Sequence, residues 1–133
     1  MLGNIDMTDK IREECAVIGT SLKCEEAAGV VYNGLLALQH RGQEGAGIAL
    51  SYNQSIIVEK DIGLVNEVLT EKVLATLPKA KTAIGHARYS TTGSNTIKNV
   101  QPFLTEYLTG RIATAHNGNI TNAKQIRSML EKE

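Results

Sequence analysis

Three stretches of this sequence carry reactive or tightly shaped groups. They are Cys15 at the head of the apolar run Cys15-Ala16-Val17-Ile18-Gly19, the segment Gly85-His86-Ala87-Arg88-Tyr89-Ser90-Thr91-Thr92-Gly93, and His116-Asn117-Gly118-Asn119. A cysteine is a nucleophile as the thiolate, and an unperturbed thiol with a pKa of about 8.5 is mostly protonated at neutral pH. Each group also has an ordinary structural reading. A cysteine opening an apolar strand serves as a small buried hydrophobe, Asn-Gly is a common hairpin turn pair, and Arg88 would serve as a surface or structural arginine.

Two other chemistries find little support. Cys15, Cys24, His40, His86 and His116 lack the close paired spacings of a structural zinc site, so no metal is expected. Gly42, Gly45 and Gly47 imitate a phosphate cradle, but the segment lacks the lysine and Ser/Thr of a P-loop and does not follow a strand in the dinucleotide pattern. A backbone-shaping role suits these glycines better.

The elements that must position the three stretches follow from periodicity. The run from Cys15 to Gly19 reads as a buried strand. Ala27, Val31, Leu35 and Leu38 recur at helical spacing between Glu25 and Leu38, with Tyr32 and Leu36 widening the face. Gly29 and Gly34 weaken that helix by roughly 1 kcal/mol each relative to Ala, and suit close packing. Residues 40–47 end it. Ala46–Leu50 and Ser55–Glu59 read as a hairpin around Ser51-Tyr52-Asn53-Gln54. A second helix is expected over Asn66–Leu77, with Val68, Leu69, Val73 and Leu77 buried and Pro78 closing it. Thr82–His86 and Arg111–His116 read as strands. A last helix begins near Asn122, with Gln125 placed for a capping box and an apolar face of Ile126, Met129 and Leu130. At least five strands and three helices make a mixed α/β chain, and the hairpin argues against a purely parallel sheet.

Size and charge set the outer limits. The chain has 133 residues, of which 42% are hydrophobic and 21% charged. One core of ordinary size is possible, and disorder throughout is not expected. The 14 basic and 14 acidic residues balance, so no broad cationic field exists for nucleic acid or an anionic membrane. No apolar run approaches the roughly 20 residues of a membrane-spanning helix. Residues 1–14 are polar and lack a signal core, and two cysteines do not suggest a secreted disulfide scaffold. A cytoplasmic domain is the expectation.

Taken together, CAVIG, LLALQHRGQEGAGIA, AIGHARYSTTG, NVQPFL and AHNGNITNA, in that order, resemble the glutaminase domain of the amidophosphoribosyltransferase family. These are class II glutamine amidotransferases with an N-terminal nucleophile hydrolase fold. The Gln39–Gly47 segment favours this family over glucosamine-6-phosphate synthase. The resemblance runs from about Glu14 to the end. It implies an α+β fold, a four-layer αββα sandwich that is incomplete in this chain, with residues 1–14 a propeptide and residues 15–133 the N-terminal portion of the glutaminase domain.

The resemblance assigns roles residue by residue. Cys15 matches the nucleophile, which in the family stands at the mature N-terminus. A free α-amine with a pKa of about 7.7–8.0 can serve as base for the thiol of its own residue, so Met1–Glu14 would have to be removed first. Asn117 and Gly118 match the oxyanion hole, Arg88 the group that holds the glutamine α-carboxylate, and Thr91 and Thr92 hydroxyl contacts in the same pocket. Arg41 matches an orienting arginine near the nucleophile. His40, His86 and His116 take structural roles, and Cys24 is an ordinary thiol. The implied reaction is attack of the thiolate on the glutamine carboxamide, release of ammonia and hydrolysis of the thioester. The ammonia would pass to a phosphoribosyltransferase domain that makes phosphoribosylamine for purine synthesis.

Two departures from the family matter. Ala16 replaces the usual glycine after the nucleophile, at a cost on the order of 1 kcal/mol if the position needs φ > 0. The Ser-Asp-Thr-Glu motif, the remaining strands and the synthase domain are expected beyond residue 133. The Mg²⁺ of that domain and the iron–sulfur cluster of some members would lie there too, so no cofactor is expected within this chain. The expected partners are glutamine and the phosphoribosyltransferase domain, in a homo-oligomer. Two outcomes remain open: a glutaminase module, or a non-catalytic fragment acting by association. Neighbouring class II amidotransferases with other ammonia acceptors also remain open.

Overall fold

The computed structural model describes residues 14–89, 96–118 and 120–132. The proposed leader, apart from Glu14, therefore lies outside the described residues, as do Thr91 and Thr92. Strands β1 (Ala16–Ser21), β2 (Gly45–Tyr52), β3 (Ser55–Ile62) and β4 (Thr82–Arg88) form one sheet in the order β1-β4-β2-β3. Every neighbouring pair in it is antiparallel. A second, two-stranded sheet joins β5 (Phe103–Tyr107) to β6 (Gly110–Thr114). Helices combined with sheets whose strands all pair antiparallel make this an α+β fold.

Helix α1 (Ala27–Ala37) covers one face of the large sheet. Its stripe of Ala27, Val31 and Leu35 is fully buried and meets Ala46, Ile48, Leu50, Ala83 and Ala87 from the two central strands. Burying a side chain of Leu or Ile size contributes about 1.5–3 kcal/mol, enough for Leu35 alone to offset the helix penalty of one glycine. Gly34 has a packing reason as well, because a Cβ there would collide with the side chain of Ile18 on β1. Gly29 faces open space. Leu36, expected on the buried face, is exposed.

Several other elements depart from the sequence expectation. The run opening at Ala16 continues to Ser21 and alternates between covered and open positions. It is an edge strand rather than a fully buried one. The hairpin turn is shorter than expected: only Asn53 and Gln54 connect β2 to β3, both with positive φ (47° and 60°), the geometry of a tight I′ turn. The helix expected over Asn66–Leu77 is broken into α2 (Val65–Val68) and α3 (Glu71–Thr76). Thr70 breaks it, its side chain accepting a hydrogen bond from Val73 N–H at 3.3 Å as the N-cap of α3. The buried contacts of this region are Val65 and Leu69.

At the far end, α4 (Ala123–Leu130) begins after Asn122 as expected, but the Asn122 side chain makes no capping bond. The expected capping box is therefore not formed. Strand β5 gave no sequence signal, because all five of its residues are exposed and show no covered face. No helix among the described residues is long and apolar enough to cross a membrane.

Candidate active site

Register brings Cys15 to its place. The β1–β4 ladder pairs Ala16 with Ala87, so one step further Cys15 stands alongside Arg88 and Tyr89. The Tyr89 backbone N–H donates to Cys15 Sγ, and the thiol faces the Tyr89 carbonyl, both at 3.3 Å. The sulfur is half-buried and unpaired with any other cysteine. Ala16 is buried in ordinary strand conformation and is not among the positive-φ residues. The strain that alanine would bring to a left-handed position is therefore not incurred.

Two predicted residues converge on the Cys15 main chain from distant elements. Asn117 Nδ2 donates to the Cys15 carbonyl at 2.8 Å, across 102 residues of sequence. Arg41 Nε donates to the same oxygen at 3.4 Å, and its Nη2 lies 3.5 Å from the Glu14 carboxylate. Arg41 sits in a short 3₁₀ turn, Gln39–Arg41, directly after α1. A Cβ on Gly42 would fall 2.5 Å from the Ala87 carbonyl group, so glycine there lets this turn lie flat on β4. The backbone-shaping role expected for the glycine segment is seen here.

Gly118 has φ +153°, and a Cβ would sit 2.9 Å from His116 Nε2. Only glycine meets both constraints without strain. Arg88 is buried. Its Nη1 donates to the Asn99 carbonyl at 2.9 Å, while Nε and Nη2 are buried without a partner among the described residues. A guanidinium with two unpartnered nitrogens has spare capacity for an anion.

Sequence reasoning missed the segment that spans this group. Residues Asn99–Pro102 cross the face of the sheet opposite α1, held from below by Arg88 and by Lys60 of β3. Lys60 Nζ donates to the Val100 carbonyl at 2.7 Å and the Pro102 carbonyl at 3.1 Å. Burial lowers the Lys60 pKa. Gln101, a buried member of this strap, bonds the His116 backbone through its side chain. The only sequence signal was the NVQPFL motif, whose polar residues gave no hint of a partner so far along the chain.

The three histidines stand in different surroundings: His116, like His40, is open to solvent, and His86 is not. His86 is fully buried, and its ring nitrogens have no hydrogen-bond partner among the described residues. Desolvation lowers its pKa to about 4, opposed in part by the nearby His116 backbone and reinforced by the positive fields of Arg88 and His116. Cys24 is exposed, 3.9 Å from a Glu26 carboxylate oxygen. Among the described residues no three His, Cys, Asp or Glu side chains are grouped to hold a metal ion.

The described geometry has close parallels. Residues 15–132 match the family model for class II glutamine amidotransferases. The chain is 47% identical over 129 residues to amidophosphoribosyltransferase 3, chloroplastic, of Arabidopsis thaliana, covering 97% of this chain and 24% of that protein. It is 44% identical to the amidophosphoribosyltransferase of Synechococcus elongatus, covering 95% of this chain and 25% of that one. Among solved structures, the glutamine phosphoribosylpyrophosphate amidotransferase of B. subtilis complexed with ADP and GMP superposes with a TM-score of 0.76 at 44% identity. That match covers 87% of this chain and 24% of the other. A structure described as the allosteric regulatory enzyme of purine biosynthesis gives a TM-score of 0.79, also at 44% identity, covering 87% of this chain and 25% of that one. The chain thus spans about a quarter of the length of the relatives it matches.

Proposed function

Since this chain belongs to the class II glutamine amidotransferases, we propose that it carries the glutamine-hydrolysing site of an amidophosphoribosyltransferase. The observation that supports this most directly is the convergence of Asn117 and Arg41 on the Cys15 carbonyl, beside a sulfur held by the Tyr89 main chain.

The chemistry begins with removal of Met1–Glu14. The freed α-amine of Cys15 takes the thiol proton, and the thiolate attacks the carboxamide carbon of glutamine. The Asn117 amide has two N–H donors. One holds the Cys15 carbonyl, and the second, with the Gly118 backbone N–H, serves the oxyanion of the tetrahedral intermediate. Collapse of the intermediate breaks the C–N bond, and the amine returns its proton to the departing ammonia. Water then hydrolyses the thioester to glutamate and regenerates the thiol. Arg88 offers Nε and Nη2, unpartnered among the described residues, to the substrate α-carboxylate, with Thr91 and Thr92 adding hydroxyls. Arg41 orients Cys15.

This half-reaction needs no cofactor in the chain. The ammonia passes to a phosphoribosyltransferase domain, of which the relatives' greater length leaves room, in a cytoplasmic homo-oligomer. Magnesium, and the iron–sulfur cluster of some members, belong to that further length.

A second reading has its own observation. Leu104, Tyr107, Ile126, Met129 and Leu130 are exposed, a pattern suited to association, so the chain would act through a partner and not through Cys15. Intact mass before and after 6-diazo-5-oxo-norleucine separates the two. The glutaminase reading expects loss of Met1–Glu14 and a single adduct on Cys15, with none on Cys24, abolished in Arg88→Ala. An uncleaved chain with Cys15 unlabelled would reject it.

A further inference from the structure

Asn117 and Gly118 lie on a segment with little cover of its own. Both are exposed, as is His116 before them. Among the described residues, side-chain hydrogen bonds hold this segment over the sheet, one of them from Asn117 itself to the Cys15 carbonyl. The strongest reach it from Gln101. Gln101 Oε1 accepts the His116 N–H at 2.6 Å, and Gln101 Nε2 donates to the His116 carbonyl at 3.2 Å. One primary amide thus pairs with both polar groups of a single backbone residue, as a neighbouring strand would. The carbonyl it holds opens the peptide that leads into Asn117.

Gln101 is itself fixed. It is buried at 9% exposure, and the residues on either side are anchored through Lys60 Nζ to the Val100 and Pro102 carbonyls. The Asn99 carbonyl two residues earlier takes the Arg88 bond. Gly47, on the central strand beneath, lets the strap lie close, since a Cβ there would run into the Gln101 carbonyl. A rigid strap therefore carries a rigid amide to the one backbone residue that precedes the oxyanion donors.

We infer that Gln101 is a positioning residue for glutamine hydrolysis, clamping the His116 backbone so that the Asn117 amide and Gly118 N–H face the thiolate of Cys15. This rests on the oxyanion role proposed for Asn117 and Gly118. Gln101 touches no reacting atom. Its contribution is to hold donor geometry, and a misplacement of about 1 Å at such a site can lower the rate on the order of 100-fold.

The test uses the full chain with Gln101→Leu, which keeps the side chain's bulk and removes both bonds, and Gln101→Glu, which keeps the acceptor for His116 N–H. Two readouts are needed: amide hydrogen exchange at His116 and steady-state glutamine hydrolysis. In Gln101→Leu, the His116 amide should exchange roughly tenfold faster, and kcat should fall on the order of 100-fold with KM for glutamine little changed. Gln101→Glu should keep the His116 amide protected and lose less activity. Unchanged exchange in Gln101→Leu would overturn the clamp. Faster exchange with kcat intact would overturn its catalytic purpose. If the parent chain shows no turnover, the glutaminase reading fails, while a Gln101-dependent His116 amide would still support the clamp.

Discussion

Two regions of this molecule are built differently, although they meet where Asn117 bonds the Cys15 carbonyl. At the Cys15 end, β1 and β2 flank β4, and the central strands are covered on both faces. Ala46, Ile48, Leu50, Ala83 and Ala87 lie against α1, while His86, Arg88 and the Asn99–Pro102 strap fill the other side. At the Asn117 end, β5, β6 and α4 place Phe103, Leu104, Tyr107, Ile112, Met129 and Leu130 in the open. The proposed nucleophile sits on packed scaffold, and the proposed oxyanion donors sit on a segment tied down by a few side chains. A buried sheet holds geometry through many weak contacts, so the loss of one is shared. A segment tied by a few side-chain hydrogen bonds is not so protected.

This contrast makes graded predictions. Removing the donor from the tied segment should have the largest catalytic effect without unfolding the chain. Asn117→Ala is expected to lower glutamine hydrolysis by about 10²–10³-fold, or about 2.7–4 kcal/mol in transition-state stabilisation, with the denaturant midpoint nearly unmoved. A parallel loss of fold and rate would mean that the two ends are one cooperative unit.

Leu35→Ala attacks the packed end instead. It leaves a cavity under Gly85 and the central strands, and should destabilise by about 2–5 kcal/mol in urea unfolding. A value below about 1 kcal/mol would show that α1 is less firmly docked than its burial indicates.

Protonation of His86 should weaken the same end. Its pKa is 6.5 when solvated and about 4 in the fold, so the unfolded chain takes up the proton first. The stability tied to keeping this ring neutral is complete above pH 6.5, declines as pH falls from 6.5 to about 4, and levels off below that. The full difference is about 3 kcal/mol. Arg88 and His116 are the charged groups that act on it. His86→Leu should flatten that part of the pH–stability curve relative to the parent, and an unchanged curve would place the acid sensitivity elsewhere.

The smallest effect is expected at the open end. Met129→Ser on α4 should change monomer stability by no more than about 0.5 kcal/mol, while lowering any self-association seen by sedimentation. A large loss of stability would show that α4 is packed against something in solution.

How far the site could be read in advance follows the same division. The motif around Cys15, the Gln39–Gly47 segment and the Asn117-Gly118 pair were legible only as members of an ordered set of motifs that resembles a known family, since each taken singly has an ordinary structural reading. The helix α1 was legible from Ala27, Val31 and Leu35, whose spacing matches a single buried face. The break at Thr70 was not, because the periodicity of Val68, Leu69, Val73 and Leu77 is compatible with one helix or two. Only the bond from Val73 to the Thr70 hydroxyl chooses between them. Strand β5 escaped notice because a strand exposed on every residue has no alternation to detect.

By itself the sequence determined several local pieces: the helix α1, the β2–β3 hairpin, the strands β1, β4 and β6, and the ordered motifs that resemble a glutamine-hydrolysing family. Tertiary structure alone decided which of these meet. The bond from Asn117 to Cys15 spans 102 residues, and the strap that carries Gln101 to His116 depends on Lys60 and Arg88 from two different strands. Such contacts leave no periodic trace along the chain. They depend on strand order and on close backbone approach, and both are set by how the whole apolar surface is buried, not by any one segment's preference.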